Sequence, residues 1–96
     1  MPKVLICFVK KIMWVFLFYC TDVNENRAHV HVGKKGSQDL CKIWLEPEVK
    51  VEKNGEFTDA QIKEIVALAQ ANKDRLIEQW HLFKAGKTVK IIKINK

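Results

Sequence analysis

Two histidines placed two positions apart are the residues of this chain whose types and spacing point most directly to chemistry. The segment 29–32 is His-Val-His-Val, and the segment 42–46 is Lys-Ile-Trp-Leu-Glu. Both alternate polar with apolar side chains, which predicts two strands of a β-hairpin. Because successive side chains point to opposite faces of a strand, the polar ones should share one face of the sheet. We call these five residues the histidine face: His29, His31, Lys42, Trp44 and Glu46.

Three interpretations of the histidine face remain open. His29 and His31 could chelate one metal ion, with Glu46 supplying a carboxylate. They could instead act as an acid–base pair in metal-free RNA cleavage, with Lys42 or Lys34 stabilising a phosphate. Against this, side chains two apart on a strand are parallel, whereas in-line displacement needs groups on opposite sides of the scissile bond. The structural interpretation is a pair of hydrogen-bonded histidines beside Trp44, which could itself be a contact anchor or a stacking platform. Since spacing provides no third ligand, we expect no metal and no cofactor.

Length and charge describe one small globular domain with a basic end. The chain has 96 residues, of which 48% are hydrophobic and 29% charged, and a net charge of +6. Most of that excess lies in residues 84–96, which contain no acid, so we divide the chain into an α+β domain over 1–85 and a basic strand or tail over 86–96. Nucleic acid could bind the five lysines of this end, although edge protection and solubility explain them equally well. These lysines are Lys84, Lys87, Lys90, Lys93 and Lys96.

The amino-terminal segment 4–20 is apolar except for Lys10 and Lys11, and it has several interpretations. Two central lysines argue against a transmembrane helix, and a bulky Tyr19 argues against a lipoprotein cleavage site, while a signal peptide and one buried helix also fit. Its β-branched and aromatic content favours a hairpin of strands 4–9 and 12–20. Both faces of that hairpin are apolar, so one should pack on the core and the other should be covered by the helix, the tail or another molecule.

The three cysteines indicate the compartment. Their number is odd, none forms a Cys-x-x-Cys pair, and their neighbours are apolar; they are Cys7, Cys20 and Cys41. This argues against a disulfide framework or a structural zinc site. We therefore expect buried thiols in a reducing cytoplasm, and no association with a membrane.

The carboxyl-terminal half predicts a helix and then a strand. Thr58 followed by Gln61 is a capping box, and apolar residues recur at helical spacing from there to residue 83. This predicts one long helix over 59–85. Its apolar stripe is interrupted around Asn72 and Lys73, and its length is great for so small a domain, so we expect a kink there or a partner packed on one end. The segment 49–52 should extend the sheet beyond Pro47, and the β-branched segment 87–94 predicts a final strand. Together the elements predict an antiparallel sheet of four strands plus an edge strand, with one long helix packed on one face.

Three segments of the chain carry a family resemblance: Phe-Leu-Phe-Tyr (16–19), His-Val-His-Val (29–32) and Lys-Ile-Trp-Leu-Glu-Pro-Glu-Val (42–49). Together they resemble a bacterial family catalogued only as domain of unknown function 4160. The resemblance covers about residues 1–84. Two positions depart from the family pattern: Ala28 occupies a position where the family usually has Pro or Cys, and His81 one where it usually has a polar residue. The segment 86–96 looks like an addition to that pattern. Relatives of this kind are often encoded beside another short protein in toxin–antitoxin-type pairs. The resemblance therefore implies a small partner protein, without implying toxicity.

We accordingly expect a non-enzymatic cytoplasmic protein-binding module. It would act with a small partner through the histidine face or the helix, in a toxin–antitoxin-type pair or a similar arrangement. The alternative is an RNA-acting, ribonuclease-like or metal-dependent enzyme that uses His29 and His31. Self-association through the helix or the edge strand is a further expectation.

Overall fold

The computed structural model of the protein describes residues 3–9 and 11–95, and these fold into one sheet with two helices packed on it. The helices and the sheet share a hydrophobic core that includes Phe16, Val30, Ile43, Ile65 and Leu76. The elements in chain order are β1 (Lys3–Val9), β2 (Ile12–Leu17), a 3₁₀ turn (Cys20–Asn24), β3 (His29–Lys34), β4 (Cys41–Trp44), β5 (Lys50–Lys53), α1 (Asp59–Ala71), α2 (Lys73–Lys84) and β6 (Ile92–Asn95).

The predicted α+β class is confirmed, but the predicted strand number is too low. Within residues 3–9 and 11–95, six strands lie in the order β5-β4-β3-β2-β1-β6, and β6 is parallel to β1 while the other neighbours are antiparallel. The segment 49–52, which the sequence predicts to extend the sheet beyond Pro47, contributes to a separate strand, because the chain reverses there and Val51 pairs with Ile43. Because proline has no backbone N–H, a strand does not continue through it. Residues 50–53 therefore form a separate edge strand.

The predicted single long helix is wrong, although its start is confirmed. Thr58 Oγ1 accepts a hydrogen bond from the Gln61 backbone N–H at 3.2 Å, and Gln61 Oε1 accepts one from the Thr58 backbone N–H at 3.0 Å. The break lies at Asn72, whose side chain donates to the Leu68 carbonyl oxygen at 2.9 Å. Asparagine side chains compete in this way with the helical backbone. The interruption of the apolar stripe thus coincides with a real helix boundary.

The amino-terminal hairpin is confirmed, with a second strand shorter than expected. It turns at Lys11, which has a positive φ of 68°, while Lys10 lies outside the described residues. Strand β2 ends at Leu17, after which Phe18 packs edge-on against Trp80 in the core. Of the cysteines, Cys7 and Cys41 are buried but Cys20 is exposed, so the expectation of three buried thiols is wrong for Cys20.

The final strand, at the basic end of the chain, is shorter than the predicted strand over 87–94. Pairing begins only at Ile92, beside Leu5 of β1, and Lys96 lies outside the described residues. Lys84 is not part of a tail, because its ammonium group donates to the carbonyl oxygens of Val23 and Glu25 at 2.6 and 2.7 Å. No helix among the described residues is long and apolar enough to span a membrane.

Candidate functional site

The β3–β4 register brings four of the five histidine-face residues together. His29 is opposite Trp44 and His31 is opposite Lys42, and the His29 and Trp44 ring centroids are 5.5 Å apart. Glu46 lies beyond the end of β4, where its backbone carbonyl oxygen accepts a hydrogen bond from Arg27 Nε at 2.8 Å. Its carboxylate is not in the group of potential metal ligands that the described residues form. The structure therefore places a different acid beside the imidazoles.

That acid is Asp22, from the 3₁₀ turn that joins β2 to β3. Its Oδ1 lies 3.0 Å from His29 Nε2, and its Oδ2 lies 3.1 Å from His31 Nε2. The Tyr19 backbone N–H donates to Oδ2 at 2.7 Å and so orients the carboxylate. We call Asp22, His29 and His31 the Asp-His-His cluster. Sequence reasoning treated residues 21–28 as a polar loop and missed Asp22, since only the fold of that loop brings it to the histidines.

Both imidazoles of the cluster are enclosed. His29 is 0% exposed and lies between the rings of Trp44 and Trp80, whose centroids are 5.5 and 4.9 Å away. His31 is 9% exposed and packs against the Tyr19 ring at 4.2 Å. Solvent therefore has little access to either ring.

The surroundings of the cluster also lower the pKa values of two of its residues, Asp22 and His31. Burial lowers the pKa of His31, and this outweighs the raising effect of the Asp22 carboxylate. For Asp22, burial acts to raise the pKa, but the Tyr19 N–H and the two histidines outweigh it and lower the pKa. These shifts favour an ionised Asp22 beside a neutral His31 at ordinary pH.

Trp44 is already engaged within the protein. The guanidinium of Arg27 lies 4.3 Å from its ring centroid and the Lys42 ammonium lies 4.6 Å away. Its indole N–H donates to Glu52 Oε2 at 2.8 Å. Because two cations lie over the ring and its N–H is satisfied, Trp44 is poorly suited to stacking on a nucleic-acid base.

A second surface lies on the face of β1 and β2 that the helices do not cover. The pairs Ile6–Val15 and Phe8–Met13 share this face, while their neighbours in each strand point into the core. Phe8 is 41% exposed and Met13 is 47% exposed. The sequence predicts that one apolar face of the amino-terminal hairpin packs on the core and that the other needs a cover; this surface is that second face.

Three adjoining grooves of about 370, 330 and 360 Å³ run across this surface, and all three contact Met13. Five lysines line the grooves, and among the described residues no carboxylate does. We call this surface the lysine-rimmed face. Its apolar part comprises Ile6, Phe8, Met13, Val15, Leu17 and Leu40, and its rim comprises Lys3, Lys11, Lys34, Lys35 and Lys93.

Comparisons with known proteins identify the chain by family alone. No curated protein and no solved structure matches it. One family model matches residues 14–81, a segment that contains the whole Asp-His-His cluster and both strands of the histidine face. The resemblance drawn from the sequence motifs is confirmed, and the chain belongs to the family described as a domain of unknown function, DUF4160.

Proposed function

We propose that this protein is a non-enzymatic protein-binding module whose lysine-rimmed face takes an acidic, amphipathic segment of a small partner protein. The observation that carries the proposal is an open apolar sheet face lined by five lysines and, among the described residues, by no carboxylate. Exposed apolar patches with a polar rim are typical of interaction sites. This moves the expected binding surface away from the histidine face.

The composition of the lysine-rimmed face suits a partner segment with apolar side chains on one side and acids along its edges. Phe8 and Met13 at the centre offer an aromatic ring and a flexible thioether to bury. The surrounding ammonium groups would attract acidic side chains and accelerate association. The same charges disfavour self-association through this face, because two copies would bring lysines against lysines. A homodimer through a helix or through the edge strands β5 and β6 remains a separate prediction.

The burial of the histidines supports a binding role over an enzymatic one. An RNA-cleaving site needs an imidazole that can reach the substrate, whereas His29 is fully buried and His31 nearly so. The sequence includes Lys84 among possible nucleic-acid contacts, but its ammonium group donates to two backbone carbonyl oxygens within the fold. Binding of nucleic acid by Lys87, Lys90 and the other basic residues of this end stays a prediction.

The partner to test first is any short protein encoded next to this one in its native genome, because the family resemblance implies a cytoplasmic toxin–antitoxin-type pair. Isothermal titration calorimetry of the two purified proteins would compare the wild type with Met13→Glu, which places a carboxylate in the middle of the lysine-rimmed face. Ile91→Glu is the matched control, because Ile91 is 48% exposed and does not line the three grooves. Circular dichroism would confirm that both variants fold.

We expect Met13→Glu to weaken binding at least about tenfold, as for loss of a central contact, and Ile91→Glu to leave it unchanged. Added salt should slow association, because the lysine rim acts by electrostatic steering. Unchanged affinity in Met13→Glu would refute the location of the site. Binding of RNA in place of the protein, or RNA degradation that depends on His31, would refute the proposed function.

A further inference from the structure

We propose that the Asp-His-His cluster is a binding site for Zn²⁺ or a similar late first-row divalent ion, between the 3₁₀ turn and β3. The three side chains offer one ligand atom each, and these atoms all lie within 4.8 Å of one another. All three residues are buried. The cluster shares no residue with the lysine-rimmed face, although His31 is paired with Leu17 of that face, and the metal proposal does not rest on the function proposed above.

The hydrogen bonding of His29 carries the argument. Its Nδ1 lies 3.0 Å from the Arg27 carbonyl oxygen, which can only accept, so Nδ1 must donate. In a neutral imidazole, Nε2 then has a lone pair and no proton. That nitrogen is buried without a hydrogen-bond partner among the described residues, yet it faces Asp22 Oδ1 at 3.0 Å. Two acceptors held so close in a buried site require a positive charge between them, supplied by a metal ion or a proton.

The distances fit a metal ion. Zinc lies about 2.0–2.2 Å from imidazole nitrogens and carboxylate oxygens, so two ligands in tetrahedral geometry are about 3.3 Å apart. A single oxygen of Asp22, Oδ1, lies 3.0 Å from His29 Nε2 and 3.4 Å from His31 Nε2, and both distances are within a few tenths of an ångström of that value. Small side-chain rotations would therefore convert the observed cluster into a ligand set.

The groups around the cluster resemble the outer shell of a metal site. Metal-bound histidines usually donate their other ring N–H to a carbonyl or carboxylate, as His29 does to Arg27. The carboxylate is likewise oriented by the Tyr19 N–H. Two imidazoles with one carboxylate select late transition metals over Mg²⁺ and Ca²⁺. Asp22 thus takes the place that the sequence suggested for Glu46. Because its ligands are buried, the ion would chiefly stabilise the fold.

The test uses protein from which metals have been removed by a chelator. Co²⁺ should bind with one-to-one stoichiometry and give visible d–d absorption bands, and Zn²⁺ should displace it while Mg²⁺ should not. Zn²⁺ at a hundredfold excess over its dissociation constant should raise the melting temperature by at least about 10 °C. Asp22→Asn should abolish binding. His81→Ala removes an exposed histidine outside the cluster and should bind as the wild type does.

Three results would overturn the proposal. One is a folded wild-type protein that binds neither Co²⁺ nor Zn²⁺. Another is a cobalt–thiolate charge-transfer band, which would place the metal on a cysteine. The third is binding by Asp22→Asn equal to that of the wild type. Should Asp22→Asn fail to fold, His31→Gln provides the same comparison.

Discussion

Replacing Lys84 by methionine should destabilise the protein, even though the sequence groups this lysine with a basic tail. Lys84 lies in the last turn of α2, and its ammonium group donates to two carbonyl oxygens in the segment that follows β2. These are Val23 at 2.6 Å and Glu25 at 2.7 Å. The side chain therefore connects the end of α2 to the loop that carries Asp22. Methionine keeps the apolar stem and removes only the charged donor.

The expected loss follows from those two bonds. A hydrogen bond with a charged partner contributes about 1.5–3 kcal/mol. The bond to Val23 is exposed and that to Glu25 only partly buried, so water can replace much of each. We therefore expect a combined loss of about 1–2 kcal/mol in the free energy of unfolding. For a domain of this size, that corresponds to a fall of about 4–16 °C in melting temperature.

Urea denaturation followed by tryptophan fluorescence would measure this loss. Lys87→Met is the matched control, because Lys87 is exposed and removing its charge should change stability by less than about 0.5 kcal/mol. A loss in Lys84→Met no larger than that in Lys87→Met would refute the structural role of Lys84. It would return this lysine to the set of possible nucleic-acid contacts.

Three further predictions test individual contacts. The backbone N–H groups of Asp39 and Gln38 donate hydrogen bonds to the Glu56 carboxylate and lower its pKa below the ordinary value of 4.5. The ionised form of Glu56 therefore stabilises the folded state. Glu56→Gln should be less stable than the wild type above that pH, and urea midpoints measured at decreasing pH should converge. Burial raises the pKa of Cys41 from 9.0 to about 11, which makes its thiolate about a hundredfold scarcer. Mass spectrometry after brief alkylation should thus find exposed Cys20 modified and Cys41 intact. Thr58→Ala removes the helix cap, and thermal denaturation should show a free energy of unfolding lower by about 1 kcal/mol.

Local sequence patterns predicted those parts of the fold that depend on near neighbours. The capping box at Thr58 is confirmed because its two hydrogen bonds lie within one helical turn. The break at Asn72 coincides with an interruption of the apolar stripe. The extents of β2 and β6, by contrast, depend on pairing with β1, in which Leu17 is opposite Lys3 and Ile92 is opposite Leu5. A single segment carries no record of such a partner.

The candidate site shows the same division. Alternation of side chains placed His29, His31, Lys42 and Trp44 together, because a strand has a period of two residues. It also suggested Glu46 as the acid, whereas the chain turns away there and Asp22 comes from another segment. No periodic pattern links a 3₁₀ turn to a strand, so the identity of this acid depended on the path of the 21–28 connection.

The sequence by itself determined the secondary structure around the histidines and the two apolar faces of the amino-terminal hairpin, since both follow from the alternation of neighbouring side chains. Only the tertiary structure decided which surfaces remain open. Packing enclosed the histidines with Asp22 and two tryptophans, and it left Phe8 and Met13 uncovered. Burial is a property of what lies opposite a side chain, and those neighbours are distant along the chain.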